Sequence, residues 1–224
     1  MKKKPFIIVL LIVATLVFAA CGSLDVIGTQ SVKSLQAVIE KAPKLIESDE
    51  ARGGWTLTAP DQSATFFWTR DFTTSTPHDA SLTFDIQPFI NAGLDPDRLP
   101  SGMIVGNTIV LGTQISDKSV TYEGEATPVA SYEKIVELDR ERIGYHESLD
   151  HYGIDLGSGN MFEWAKDLNS NDKDIVFVVD PKVFVEAGVD PTKVDGWVFA
   201  KVETMDKDGK MLEVEKFLKP FDLN

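Results

Sequence analysis

The chain holds three histidines and a single cysteine, so few residues can carry reactive chemistry. His146 and His151 lie near Glu147 and Asp150, residue types that can hold zinc. A zinc pair on a helix needs histidines four apart on one face, with a third ligand. These two are five apart, around an expected helix end, and read as a solvated loop. His78, in Thr76-Pro77-His78-Asp79, reads as a loop residue too. Asp167-x-Asn169-x-Asn171 begins like a calcium loop, but Asp172 stands where glycine is required and Val178 where the closing glutamate belongs. Asp206-x-Asp208-Gly209 with Glu215 fits a hairpin turn better, since its flanks read as strands.

Nucleophile signals are equally thin. Ser131 and Lys134 have the spacing of a serine–lysine pair, but the serine falls inside an expected helix and the supporting motifs are absent. Gly157-Ser158-Gly159 lacks the flanks of a nucleophile elbow. Asp95-Pro96 and Asp190-Pro191 read as helix caps followed by proline at the first helical position. Asp71 and Asp167 read as ion pairs or strand-end turns, and Asp85 and Asp180 as turn starters. There is no phosphate loop, dinucleotide fingerprint or expected cofactor. No residue is assigned as catalytic or metal-binding. Trp55, Trp68, Trp164 and Trp197 remain as candidate binding residues for a sugar or peptide groove, with core packing as the competing role.

The elements that would position these residues are written twice. Phe89 to Leu99 and Phe184 to Val194 share five identical and four conservatively exchanged positions at an offset of 95. Trp68-Thr69-Arg70-Asp71-Phe72 matches Trp164-Ala165-Lys166-Asp167-Leu168 at 96, and Ser34-Leu35, Val38-Ile39 and Ile46 match Ser131-Tyr132, Ile135-Val136 and Ile143 at 97. Order is kept while the offset drifts by single residues, as loop insertions would cause. The expected architecture is α+β, a tandem duplication of a unit of about 95 residues, each a helix on a mostly antiparallel sheet. The first repeat is expected over residues 30–122 and the second over 127–224, with the boundary at Glu123–Ala126.

Each copy opens with a helix. Val32, Leu35, Val38, Ile39, Ala42, Leu45 and Ile46 form its stripe in the first, with Pro43 as a kink. Tyr132, Ile135, Val136 and Ile143 form it in the second, capped by Thr127-Pro128. A hairpin follows (Trp55–Thr58 with Thr65–Trp68; Ile154–Leu156 with Met161–Trp164), then a strand (Ser81–Ile86; Asp174–Val179). The run Ile175–Val179 is apolar on both faces and belongs mid-sheet. A short helix ends at Gly93 or Gly188, where glycine takes the left-handed cap. A last hairpin pairs Met103–Val105 with Thr108–Leu111, and Trp197–Val202 with Met211–Val214.

The first 20 residues read as a secretion signal. Lys2, Lys3 and Lys4 precede an uncharged run of 15 residues, Phe6 to Ala20. That is short of the roughly 20 residues that cross a hydrocarbon core. The ending Phe18-Ala19-Ala20-Cys21 resembles the lipobox of bacterial lipoproteins, with Phe18 where the family usually has leucine. The resemblance implies a cut before Cys21, acylation of its sulfur with at least two chains in all, and stable anchoring on the extracytoplasmic face of a membrane. It would be an outer membrane if the source were Gram-negative. The mature part looks broadly like exported lipoproteins of Gram-positive bacteria. Residues 21–29 read as a lipidated tether.

Without residues 1–20 the chain carries 19 basic against 35 acidic residues, a net charge of −16. Such a surface disfavours nucleic-acid backbones and is compatible with divalent cations or basic partners. With Cys21 acylated no thiol remains for a disulfide or a zinc–thiolate site. These features lead to a lipid-anchored, non-catalytic binding module for a protein, glycan or small ligand. A carboxylate-based cell-wall hydrolase and a structural or chaperone-like envelope protein are the alternatives.

Overall fold

The computed structural model describes residues 21–72, 77–117, 119–120, 124–147, 149–168, 173–205 and 211–223. The expected leader, the Asp206–Gly209 turn and residues 169–172 of the calcium-like run lie outside the described residues.

Apolar positions at helical spacing give α1 (Cys21–Lys41) and α3 (Pro128–Leu138). The Thr127 hydroxyl accepts from the Ala130 N–H at 3.1 Å, the expected cap. Two expectations about this region need correcting. The stretch assigned to a tether is helical, since α1 begins at Cys21. Gly22 and Gly28 do not loosen it. Gly28 is buried, and a Cβ there would lie 2.7 Å from Val136 Cγ1, so the glycine lets α1 and α3 approach closely. Ile46 and Ile143 also leave the helical stripes. Pro43, without an N–H to continue the helix, suits the first position of a 3-10 turn over Pro43–Leu45, after which Ile46 starts a strand. The second copy does the same through Arg140–Arg142 and Ile143.

Alternation then builds the sheets. The strands are β1 (Ile46–Asp49), β2 (Gly54–Thr58), β3 (Ala64–Thr69), β4 (Ala80–Asp85), β5 (Ile104–Val105) and β6 (Thr108–Thr113) in the first repeat. Those of the second are β7 (Ile143–His146), β8 (His151–Asp155), β9 (Met161–Ala165), β10 (Ile175–Val179), β11 (Val198–Met205) and β12 (Met211–Phe221). The sheet orders are β1-β2-β3-β4-β6-β5 and β7-β8-β9-β10-β12-β11, all pairs antiparallel, so the topology is repeated strand for strand. The chain is therefore α+β, a duplicated unit of helix and sheet. β12 runs well past the expected Val214, because Phe217 and Phe221 continue its inward face.

Short helices α2 (Gln87–Asn91) and α4 (Lys182–Glu186) precede Gly93 and Gly188, at φ +107° and +103°. Asp95 and Asp190 each accept the N–H two residues on, as caps do. The repeats meet about an approximate two-fold axis. The Asp95 N–H donates to the Ala187 carbonyl at 2.9 Å, and the Asp190 N–H donates to the Ala92 carbonyl at 2.8 Å. Phe66 stacks on its counterpart Phe162, centroids 4.0 Å apart. Phe89 meets its counterpart Phe184 at 5.0 Å. One hydrophobic core spans both copies.

The helices are exchanged. Ser34 of α1 donates to the Ala165 carbonyl of the second sheet at 2.8 Å, and Lys41 pairs with Asp174. Trp55 and Trp68 of the first sheet donate to Ser131 Oγ and the Pro128 carbonyl of α3, both at 3.0 Å. No helix among the described residues is long and apolar enough to cross a membrane.

Candidate functional site

Two places, one an open groove and one a buried corner, gather polar side chains. The first is an open groove of about 940 Å³ between α1 and α3, the equivalent helices of the two repeats. Its floor includes Gly28, Val32, Ala130 and Val136. Lys33, Gln36 and Glu133 line its sides. The Asp25–Arg140 and Lys134–Glu137 ion pairs occupy other parts of its wall.

The second is the corner built by the β7–β8 hairpin and β9. Residues alternate between faces here. Ile143, Tyr145, Tyr152 and Ile154 turn toward the core, so His146 and His151 turn outward. They are direct cross-strand partners, and Gly144 pairs with Gly153 in the same hairpin. Glu163 on β9 lies opposite Gly153, whose missing side chain leaves it room: a Cβ on Gly153 would sit 3.1 Å from Glu163 Cγ. The Glu163 carboxylate extends to His146 Nδ1 at 3.2 Å and His151 Nδ1 at 3.9 Å. All three are buried, with Glu163 2 % and His151 1 % exposed. His146 Nε2 is buried without a hydrogen-bond partner among the described residues.

On the inward side of the same corner, Tyr145 donates a short hydrogen bond to Asp150, and Lys166 reaches both at 3.4 and 3.3 Å. Burial first, then the neighbouring carboxylate, pushes the Tyr145 hydroxyl up. The Tyr145 hydrogen bond and the Lys166 ammonium hold Asp150 below its ordinary range. Asp150 has φ +51°, a left-handed conformation unusual for a residue with a side chain. The three side chains bond to one another.

The expected solvated loop at His146 and His151 is thus overturned. Both are buried strand residues, and a five-residue spacing that separates faces on a helix places them side by side across a hairpin. Glu163 was missed as a site residue. Its sequence signal is a lone acid in an apolar run, at the position held by Phe67 in the first copy.

The four tryptophans do not line a common groove. Trp68 and Trp164 are fully buried in the core. Trp55 is half-buried and bonded to Ser131, and Trp197 packs on Phe84, Phe89 and Phe217 with the Lys219 ammonium 5.9 Å from its ring. Ser131 is likewise a core residue of α3, while Lys134 pairs with Glu137. Asp71 lies exposed beside Arg70 rather than in a buried pair. Asp85 and Asp180 start turns by accepting from the Gln87 and Lys182 N–H groups. No protein-family model, curated protein or solved structure matches this chain.

Proposed function

We propose that the chain is exported, acylated on Cys21 and held at a membrane surface as a non-catalytic binding module whose working surface is the α1–α3 groove. The groove carries this reading. It is assembled from both repeats, has the volume of a ligand site, and begins at Leu24 and Asp25, within one turn of Cys21. A ligand held there would sit beside the anchor. Among the described residues, Lys33 and Glu133 face the groove without an ion pair, which suits a polypeptide segment bearing both charges over an apolar stem.

Anchor and groove are tested separately in the full chain expressed in bacteria. Labelling with a clickable fatty acid, followed by mass spectrometry of the N-terminal peptide, is expected to find the lipid on Cys21. Cys21→Ser is expected to lose both the label and retention in the membrane pellet. An unmodified intact leader would remove the lipid part. A photo-crosslinking residue in place of Gln36 is expected to capture one envelope polypeptide, with Ala130→Trp weakening capture at least about tenfold. Equal capture from a probe in place of Thr83, on the far face of the first sheet, would remove the groove part.

A further inference from the structure

We propose that His146, His151 and Glu163 bind one divalent transition-metal ion, of the zinc class, on the outer face of the second sheet. The comparison between the repeats carries this furthest. At the equivalent corner of the first copy stand Asp49, Gly54 and Phe67. There the Phe67 ring covers Gly54, Arg52 stacks on that ring at 4.2 Å, and Arg52 pairs with Asp49 at 2.6 Å. The fold therefore closes this corner with an aromatic ring and an ion pair. In the second copy the ring is replaced by a buried carboxylate and both flanking positions by imidazoles.

The first copy shows that the fold closes this corner without a buried carboxylate. A buried carboxylate is expensive unless a positive group balances it. Val176 lies directly opposite Glu163 on β10, and two glycines occupy the same row on the other side. Lys166, one residue beyond this face, is engaged by Tyr145 and Asp150 on the inward side. A divalent ion would supply the balance, and two imidazoles with one carboxylate are a nitrogen–oxygen set suited to zinc.

The two distances to Glu163 come close to that role. Ligand bonds of about 2.0–2.2 Å in a tetrahedral sphere put neighbouring ligand atoms about 3.4 Å apart. His146 Nδ1 and His151 Nδ1 stand 3.2 and 3.9 Å from the same Glu163 oxygen. As they stand, no three histidine, cysteine, aspartate or glutamate side chains among the described residues are placed to hold a metal ion, these three included. Here the gap is about half an ångström on the His151 side, within reach of a small ring rotation. Three protein ligands leave a fourth position for water or a ligand atom. The site faces away from α1 and stands independently of the groove and the anchor.

The test uses the full chain, stripped with a chelator and titrated with zinc chloride. Calorimetry is expected to give one ion per chain, with a melting-temperature rise of several degrees in excess zinc. His146→Ala, His151→Ala and Glu163→Gln are each expected to weaken binding by at least about tenfold, and His78→Ala to leave it unchanged. The unsubstituted chain gives a second readout that misfolding cannot confuse. Zinc should shift the imidazole nitrogen resonances of His146 and His151 and leave those of His78 in place. Unmoved resonances and melting in excess zinc, or binding equally strong in all the variants, would overturn the proposal.

Discussion

Asp61 and Lys219 show how much one pair of residues can depend on the whole. Lys219 is 7 % exposed, packs near Trp197 and donates to Asp61 of the other repeat at 2.8 Å. Partial burial pushes Asp61 up, but Lys219 and the hydroxyl and N–H of Ser63 outweigh it and hold the carboxyl at about 2, against an ordinary 3.8. A lowered carboxyl contributes stability that is complete above the ordinary value and lost as pH falls through the folded one. Urea midpoints should therefore drop between pH 4 and pH 2 in the natural chain, and drop less in Asp61→Asn. Equal slopes would deny the pair that role. Other residues were only half legible. The caps at Asp95, Asp190 and Thr127 could be read directly, because capping is local chemistry. His146 and His151 could not, because their relation depends on whether the backbone between them is helix or hairpin.

Elements obey the same division. The helical stripe of Val32, Leu35 and Val38 announced α1, but its start did not show in the sequence, since glycine usually weakens a helix. Gly28 is kept for contact with a neighbour about a hundred residues away in sequence, which local propensity cannot register. Gly28→Ala should gain helix propensity and still lose stability, by about 1–3 kcal/mol, because Val136 is branched at Cβ and cannot swing aside. Adding Val136→Ala should recover part of that loss, as measured by urea unfolding of the single and double variants. A stabilised single variant would mean that α1 and α3 do not pack this tightly.

At the scale of the whole molecule, the reciprocal bonds at Asp95 and Asp190 make the interface isologous, like that of a symmetric dimer joined into one chain. Because α1 bonds to the second sheet and α3 to the first, while Tyr132 of α3 also packs on Trp164 of its own sheet, the helices tie each repeat to the other. Residues 21–120 and 124–224, produced as separate chains, should each fail to unfold cooperatively alone and should associate one to one when mixed. Light scattering with size-exclusion chromatography and a thermal melt of the mixture would check this. Two independently cooperative halves would contradict the exchange of helices.

Periodicity, caps and internal repetition sufficed to establish an α+β unit present twice, because alternation, helical spacing and turn residues are set by short stretches of chain. Only the tertiary structure decided which helix lies on which sheet, that Trp68 and Trp164 are core, and that Glu163 meets two histidines. Those facts rest on contacts between distant segments, and a residue's own neighbours in sequence do not encode what packs against it.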